Sequence, residues 1–78
     1  MSDVNTIPKI LGTNIRSERI RQGFSQEKLA EKSGLHRTYI GMVERGEKNI
    51  TVINYVKITS ALSLPLPHLL TSLGRDMG

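Results

Sequence analysis

Residues 26–45 read QEKLAEKSGLHRTYIGMVER, and the spacing within this run decides the fold. Leu29 and Ala30 fall on one helical face, and Ser25 precedes the run as a residue able to accept from the free amides of a helix start. Gly34 ends that segment, because only glycine takes the left-handed conformation of a helix stop without steric cost. A second segment then opens near Arg37, with Ile40 and Val43 on its inward face and Gly46 as its stop. The spacing predicts a helix over 26–33, a three-residue turn and a second short helix over 37–45. Ala30 is small where two such helices would cross closely. This is the geometry of a helix-turn-helix, whose second helix enters the major groove of duplex DNA. Ordinary helical hairpins share the spacing, so the pattern permits that reading without requiring it.

Outward from this pair, the rest of the chain is also helical. Leu11, Ile15, Arg19 and Gln22 share one face of a preceding helix, with Ile20 beside it, that Gly23 stops; Phe24 then stands as a hydrophobic staple beside the Ser25 cap. Thr51 can cap a fourth helix over 52–62 whose inward set is Val52, Tyr55, Ile58 and Leu62. Pro65 and Pro67 suit the first turn of a fifth, ending near Leu73 and Gly74. The expected fold is all-α, a compact five-helix domain over residues 9–74. A flexible arm over 1–8 would precede it and a frayed tail over 75–78 would follow.

Composition narrows the function. The 78 residues make one domain and contain no cysteine, so neither a disulfide nor a cysteine-ligated zinc site braces the fold. The N-terminal stretch has no apolar core of a signal peptide, and no apolar run approaches the ~20 residues that span a bilayer, so a cytoplasmic protein with no membrane partner is expected. The net charge of +4 permits a nucleic-acid partner. Three aromatic residues are too few for the stacking platforms of single-strand binders, which favours a duplex. His36 and His68 have no paired spacing and suggest no metal. With no catalytic constellation and no glycine-rich phosphate loop, the chain is expected to be neither an enzyme nor a binder of a cofactor or small-molecule ligand.

Ile15-Arg16, Gly23-Phe24-Ser25-Gln26-Glu27, Leu29-Ala30, Gly34-Leu35, Tyr39-Ile40, Glu44-Arg45-Gly46, Ile58, Ala61-Leu62 and Leu69-Leu70 agree at many spaced positions with one family. Over roughly residues 11–70 the chain resembles the phage-repressor-like (Cro/XRE-type) helix-turn-helix family, whose fold is lambda-repressor-like. Residues 35–40 and 44–50 look most like the controller proteins of restriction–modification systems. The resemblance implies a small homodimeric transcriptional regulator that binds a pseudo-palindromic operator upstream of its own operon. It implies double-stranded DNA and a second copy of the chain as partners, with RNA polymerase as a further candidate. It also implies that Arg16 on the first helix pairs with Glu44 at the end of the third. Two positions depart from the family: Glu18 stands where an apolar residue is usual, and His36 stands where a better cap is usual. These two departures bear on how the first helix packs and on where the third begins.

Early residues of a reading helix face base edges, and neighbouring helix starts face phosphates. Arg37 is the first choice for direct readout, since its guanidinium fork matches the paired acceptors of guanine, worth ~1–3 kcal/mol of discrimination. Its alternative is a solvated or phosphate-bound arginine. Thr38 offers a hydroxyl and a methyl to base edges. Tyr39 either contacts DNA, as the resemblance suggests, or packs on the turn. Met42 lies one turn beyond Thr38 and either meets a thymine methyl or sits on the surface. Gln26, Arg45, Lys48 and Asn49 are expected on phosphates, Gln26 on the strength of the resemblance, with a solvated loop as the alternative for Lys48 and Asn49. Ile53, Val56, Leu66, Leu69, Leu70 and Leu73 exceed what one helix face needs and form the expected dimer interface, the alternative being that the leucines only complete a small core. The competing function is an antitoxin-type protein that neutralises a partner protein and binds DNA secondarily.

Overall fold

Pro8 lies in the first turn of helix α1 (Ile7–Arg21), where its missing N–H is no loss, so the helix begins inside the span expected to be an arm. A computed structural model of the chain describes residues 6–71 and 73. The remainder of the expected arm, the expected tail and Gly74 lie outside the described residues. Helix α2 (Gln26–Ser33) starts where Ser25 Oγ accepts from the Lys28 amide at 3.0 Å. Phe24, just before that cap, packs against the core. Gly34 closes α2 at φ 73°, and the Gly34 and Leu35 amides both donate to the Ala30 carbonyl. Helix α3 (Arg37–Glu44) follows after three residues, so the expected helix pair is present, with α3 ending one residue early.

His36 makes no side-chain cap hydrogen bond, yet α3 begins at Arg37 as expected. The extended backbone at His36 and its carbonyl accepting from the Ile40 amide suffice to start the helix. Thr51 Oγ1 accepts from the Asn54 amide at 3.1 Å and opens helix α4 (Val52–Ala61). The core gathers Leu11 and Ile15 from α1, Leu29 and Ala30 from α2, Ile40 and Val43 from α3, and Tyr55 and Ile58 from α4, with Leu62 just beyond. Each fully buried isoleucine or leucine contributes ~1.5–3 kcal/mol relative to an exposed one.

Two expectations for the second half of the chain need correction. Val52 is 80% exposed rather than inward, because the first turn of α4 projects past the core; Thr59 is fully buried instead, with its hydroxyl donating to the Tyr55 and Val56 carbonyls. Among the described residues there are four α-helices, and a 3-10 turn (His68–Leu70) stands at the position expected for a fifth. Pro65 and Pro67 supply carbonyls but no amides there, and i→i+3 bonds from His68 to Pro65 and from Leu70 to Pro67 form instead. Helical geometry resumes at Thr71 and Leu73. Three side chains tie this segment down: Tyr55 Oη donates to the Leu66 carbonyl, Asn14 Nδ2 to that of Leu69 at 2.9 Å, and Gln22 Nε2 to that of Leu62 at 2.8 Å. Burial pushes the Tyr55 hydroxyl pKa up, so it stays a neutral donor.

Gly12 sets the distance between α1 and α3. A Cβ there would lie 2.2 Å from the Val43 carbonyl oxygen and 2.9 Å from that of Glu44. The two backbones therefore meet without a side chain between them, which fixes the end of α3 against the body of the domain.

Candidate nucleic-acid interface

The end of α3 is also held by charge. Arg19 Nε lies 2.6 Å from Glu44 Oε2, Arg19 Nη2 donates to Oε1 at 2.9 Å, and Nη1 donates to the Phe24 carbonyl at 2.8 Å. Both residues are buried. The hydrogen bonds Arg19 donates to Glu44 raise the Arg19 pKa above its ordinary value, against the opposing effect of burial, so the guanidinium stays charged. The expected partner, Arg16, is exposed, and this assignment is corrected to Arg19. Ile15 points into the core, so Arg19, four residues on, shares its face, while Arg16 is turned about 100° away.

Gln26 joins the same network. Its Nε2 donates to Glu44 Oε1 at 3.1 Å, which lays the start of α2 against the last turn of α3. Glu27 reaches the other end of α3, with Oε1 3.7 Å from Arg37 Nε. One surface thus carries the first turn of α2 and the outer side of α3. On it the Arg37 side chain is 60% exposed and Thr38 is exposed beside it. Met42 is half-buried, against the exposure expected of it.

Tyr39 does two things at once. Its ring packs against the core from a half-buried position, and its Oη accepts from Asn54 Nδ2 at 3.1 Å. Beyond the helix, Arg45 pairs with Glu47 through Nε at 2.9 Å and Nη2 at 3.2 Å. The pair is exposed, where solvent and salt screen it, so Arg45 exchanges this partner readily. Lys48 and Asn49 are exposed in the loop that follows.

The departure at Glu18 is absorbed without disturbing α1. Its carboxylate accepts from Arg21 and from Gln22 Nε2, and His68 Nε2 lies 4.0 Å away. The Arg21 hydrogen bond holds the Glu18 carboxyl below its usual pKa, against the opposing effect of burial.

Sequence reasoning missed Arg19 as the partner of Glu44, Glu27 as the neighbour of Arg37, and Asn54 as the partner of Tyr39. The first was signalled by Arg19 lying on the inward stripe with Leu11 and Ile15. Asn54 had no signal, since a contact across fifteen positions leaves no periodicity.

A helix-turn-helix family model matches residues 15–69, which spans the whole of this arrangement. The chain belongs to that helix-turn-helix family, of the Cro/XRE type. Within it, control proteins stand out. The control protein C.SmaI of Serratia marcescens is 52% identical over 68 residues, covering 87% of this chain and 81% of the relative. The crystal structure of the restriction–modification controller protein C.AhdI from Aeromonas hydrophila superposes with a TM-score of 0.78 at 40% identity, over 80% of this chain and 94% of that one. The controller protein C.Esp1396I, solved as a tetramer on its natural 35 base-pair operator, gives a TM-score of 0.80 at 28% identity over 96% of each chain. In a helix-turn-helix the second helix of the pair is the one that enters the major groove. No helix among the described residues is long and apolar enough to cross a membrane.

Proposed function

We propose that this chain is a sequence-specific, duplex-DNA-binding transcriptional regulator that controls a restriction–modification operon, its own gene included. The observation that carries the proposal is the exposed start of α3, Arg37 and Thr38, on a helix whose far end is fixed by the buried Arg19–Glu44 pair. A helix that reads bases must be rigid on the protein and open toward the groove. In this reading Arg37, Thr38 and Tyr39 reach base edges, with Met42 beside them at the margin. Gln26, Arg45, Lys48 and Asn49 take phosphates and set register. The positive end of the α2 dipole adds to the hold of Gln26 on the backbone.

Pairing of two copies completes the reader. Between α4 and the 3-10 turn runs an apolar groove of about 470 Å³, lined by Leu11, Val52, Tyr55, Val56, Leu66 and Leu70 among others. Ile53 stands 69% exposed on the same helix, and Leu73 is half-buried farther along the chain. A second copy is the fitting occupant, since the control-protein relatives include one solved as a tetramer on DNA. Leu69 is removed from the expected interface: it is buried in the core of its own chain. A two-fold pair would set the two reading helices ~34 Å apart, one turn of duplex DNA.

The relatives favour this reading over an antitoxin. RNA polymerase would be a further partner in it, and the cytoplasm its place of work. Footprinting on the DNA upstream of the chain's own gene tests the proposal. Protection of a two-fold symmetric site supports it; uniform binding along the fragment contradicts it.

A further inference from the structure

The hydrogen bond between Tyr39 and Asn54 has a direction, and the direction carries chemical information. Asn54 is the third residue of α4 and is fixed twice: its backbone amide donates to Thr51 Oγ1 at 3.1 Å, and its side-chain Nδ2 donates to Tyr39 Oη at 3.1 Å. The Tyr39 ring is held at its base by packing against the core. A phenol carries one O–H donor and accepts through its oxygen lone pairs. Its proton prefers the ring plane, so it points to one side of the oxygen or the other. With the Asn54 amide donating from the α4 side, the proton is turned to the opposite side.

We propose that Asn54 is a positioning residue for DNA recognition, which orients the Tyr39 hydroxyl so that it meets DNA as a hydrogen-bond donor. The proposal rests on the reading of Tyr39 as a base-contacting residue. The groups it selects are acceptors on a base edge: guanine O6 or N7, adenine N7, or thymine O4. The amino groups of adenine and cytosine, which are donors, are disfavoured opposite it. Asn54 need not touch DNA to do this. Its position on α4, between the exposed Ile53 and Val56, also places the orientation of a reading side chain on the helix proposed to pair.

The test is a double-mutant cycle on operator affinity. Wild type, Tyr39→Phe, Asn54→Asp and the double variant are each titrated against the operator and against duplexes with single base-pair substitutions, at constant salt. A carboxylate only accepts, so Asn54→Asp draws the Tyr39 proton toward α4. It is expected to lose the same base preference that Tyr39→Phe loses, by about fivefold, the effect of one hydrogen bond. In the Tyr39→Phe background, Asn54→Asp should then lower affinity for all duplexes alike, through its added charge, and change no preference. Asn54→Ala, which removes the donor without adding charge, is expected to lose part of the preference and carries the test if the aspartate variant melts early. The inference is overturned if both Asn54 variants keep the preference, or if Asn54→Asp shifts it equally with and without the tyrosine hydroxyl. A Tyr39→Phe variant with unchanged preferences is a different failure, since it removes the base-contact reading itself and the inference with it.

Discussion

Arg19 and Glu44 form a buried two-point ion pair, Nε to Oε2 at 2.6 Å and Nη2 to Oε1 at 2.9 Å, that joins the first helix to the last turn of α3. Gln26 donates to the same carboxylate from the start of α2. Three helices therefore converge on one side chain. Removing either charge leaves the other buried without its counter-ion, which is the costly way to break such a pair.

Glu44→Gln is accordingly expected to lower stability by ~3–5 kcal/mol, a large share of the 5–15 kcal/mol typical of a domain. Arg16→Ala, at an exposed position, should stay within about 0.5 kcal/mol of wild type. Urea midpoints of the two variants measure the contrast. Equal midpoints would return the pairing to Arg16.

Glu18 makes part of the stability depend on acid. Its carboxyl is held below its usual 4.5 in the folded chain, first by the Arg21 hydrogen bond. A depressed carboxyl stabilises the fold above its unfolded pKa, and that contribution is lost as pH falls from there through the folded value. Wild type should therefore lose more stability than Glu18→Gln when pH drops below 4.5. Urea titrations at neutral and acid pH compare the two, and parallel losses would show that Glu18 takes no part.

Val56→Glu places a charge in the apolar groove and is expected to separate the pair. Sedimentation at tens of micromolar should give the variant the 8.7 kDa mass of one chain, and wild type twice that. Leu69→Ala should behave differently, losing ~2–5 kcal/mol of stability because it opens a cavity in the core of each chain. A wild type that sediments as a single chain, alone and on DNA, would remove the dimer.

Arg37→Ala and Gln26→Ala separate reading from grip. The first is expected to relax preference at one base pair per half-site by ~1–3 kcal/mol, and the second to weaken binding to every duplex alike. Affinities for the operator and its single-substitution variants distinguish them. If Arg37→Ala leaves the preferred base unchanged, another residue does the reading.

The helix pair was legible because its signals are local. Ser25, Gly34 and Thr51 act within four residues of themselves, and the structure shows each in its expected role. The errors lie where burial depends on what packs from elsewhere. Val52 and Leu69 are both apolar and suitably spaced, yet the first turn of α4 projects past the core while the 3-10 turn is drawn against α1 by Asn14. The sequence overestimates the fifth helix because each proline disfavours the α conformation of the residue before it, Leu66 in the case of Pro67, and 3-10 bonds from His68 and Leu70 form instead. Arg16 was preferred over Arg19 on the resemblance, although the inward stripe through Leu11 and Ile15 already pointed to Arg19. At the candidate interface, Arg37 and Thr38 are exposed at the helix start as expected. The tie between Tyr39 and Asn54 exists only once α3 and α4 have both packed against α2.

Selection from a random duplex DNA pool near 150 mM salt, followed by sequencing, tests the central claim most directly, because salt at this level suppresses phosphate-only binding. The account predicts enrichment of a two-fold symmetric site whose half-sites lie about one helical turn apart, matching two copies of α3. A folded protein that enriches no sequence would contradict it.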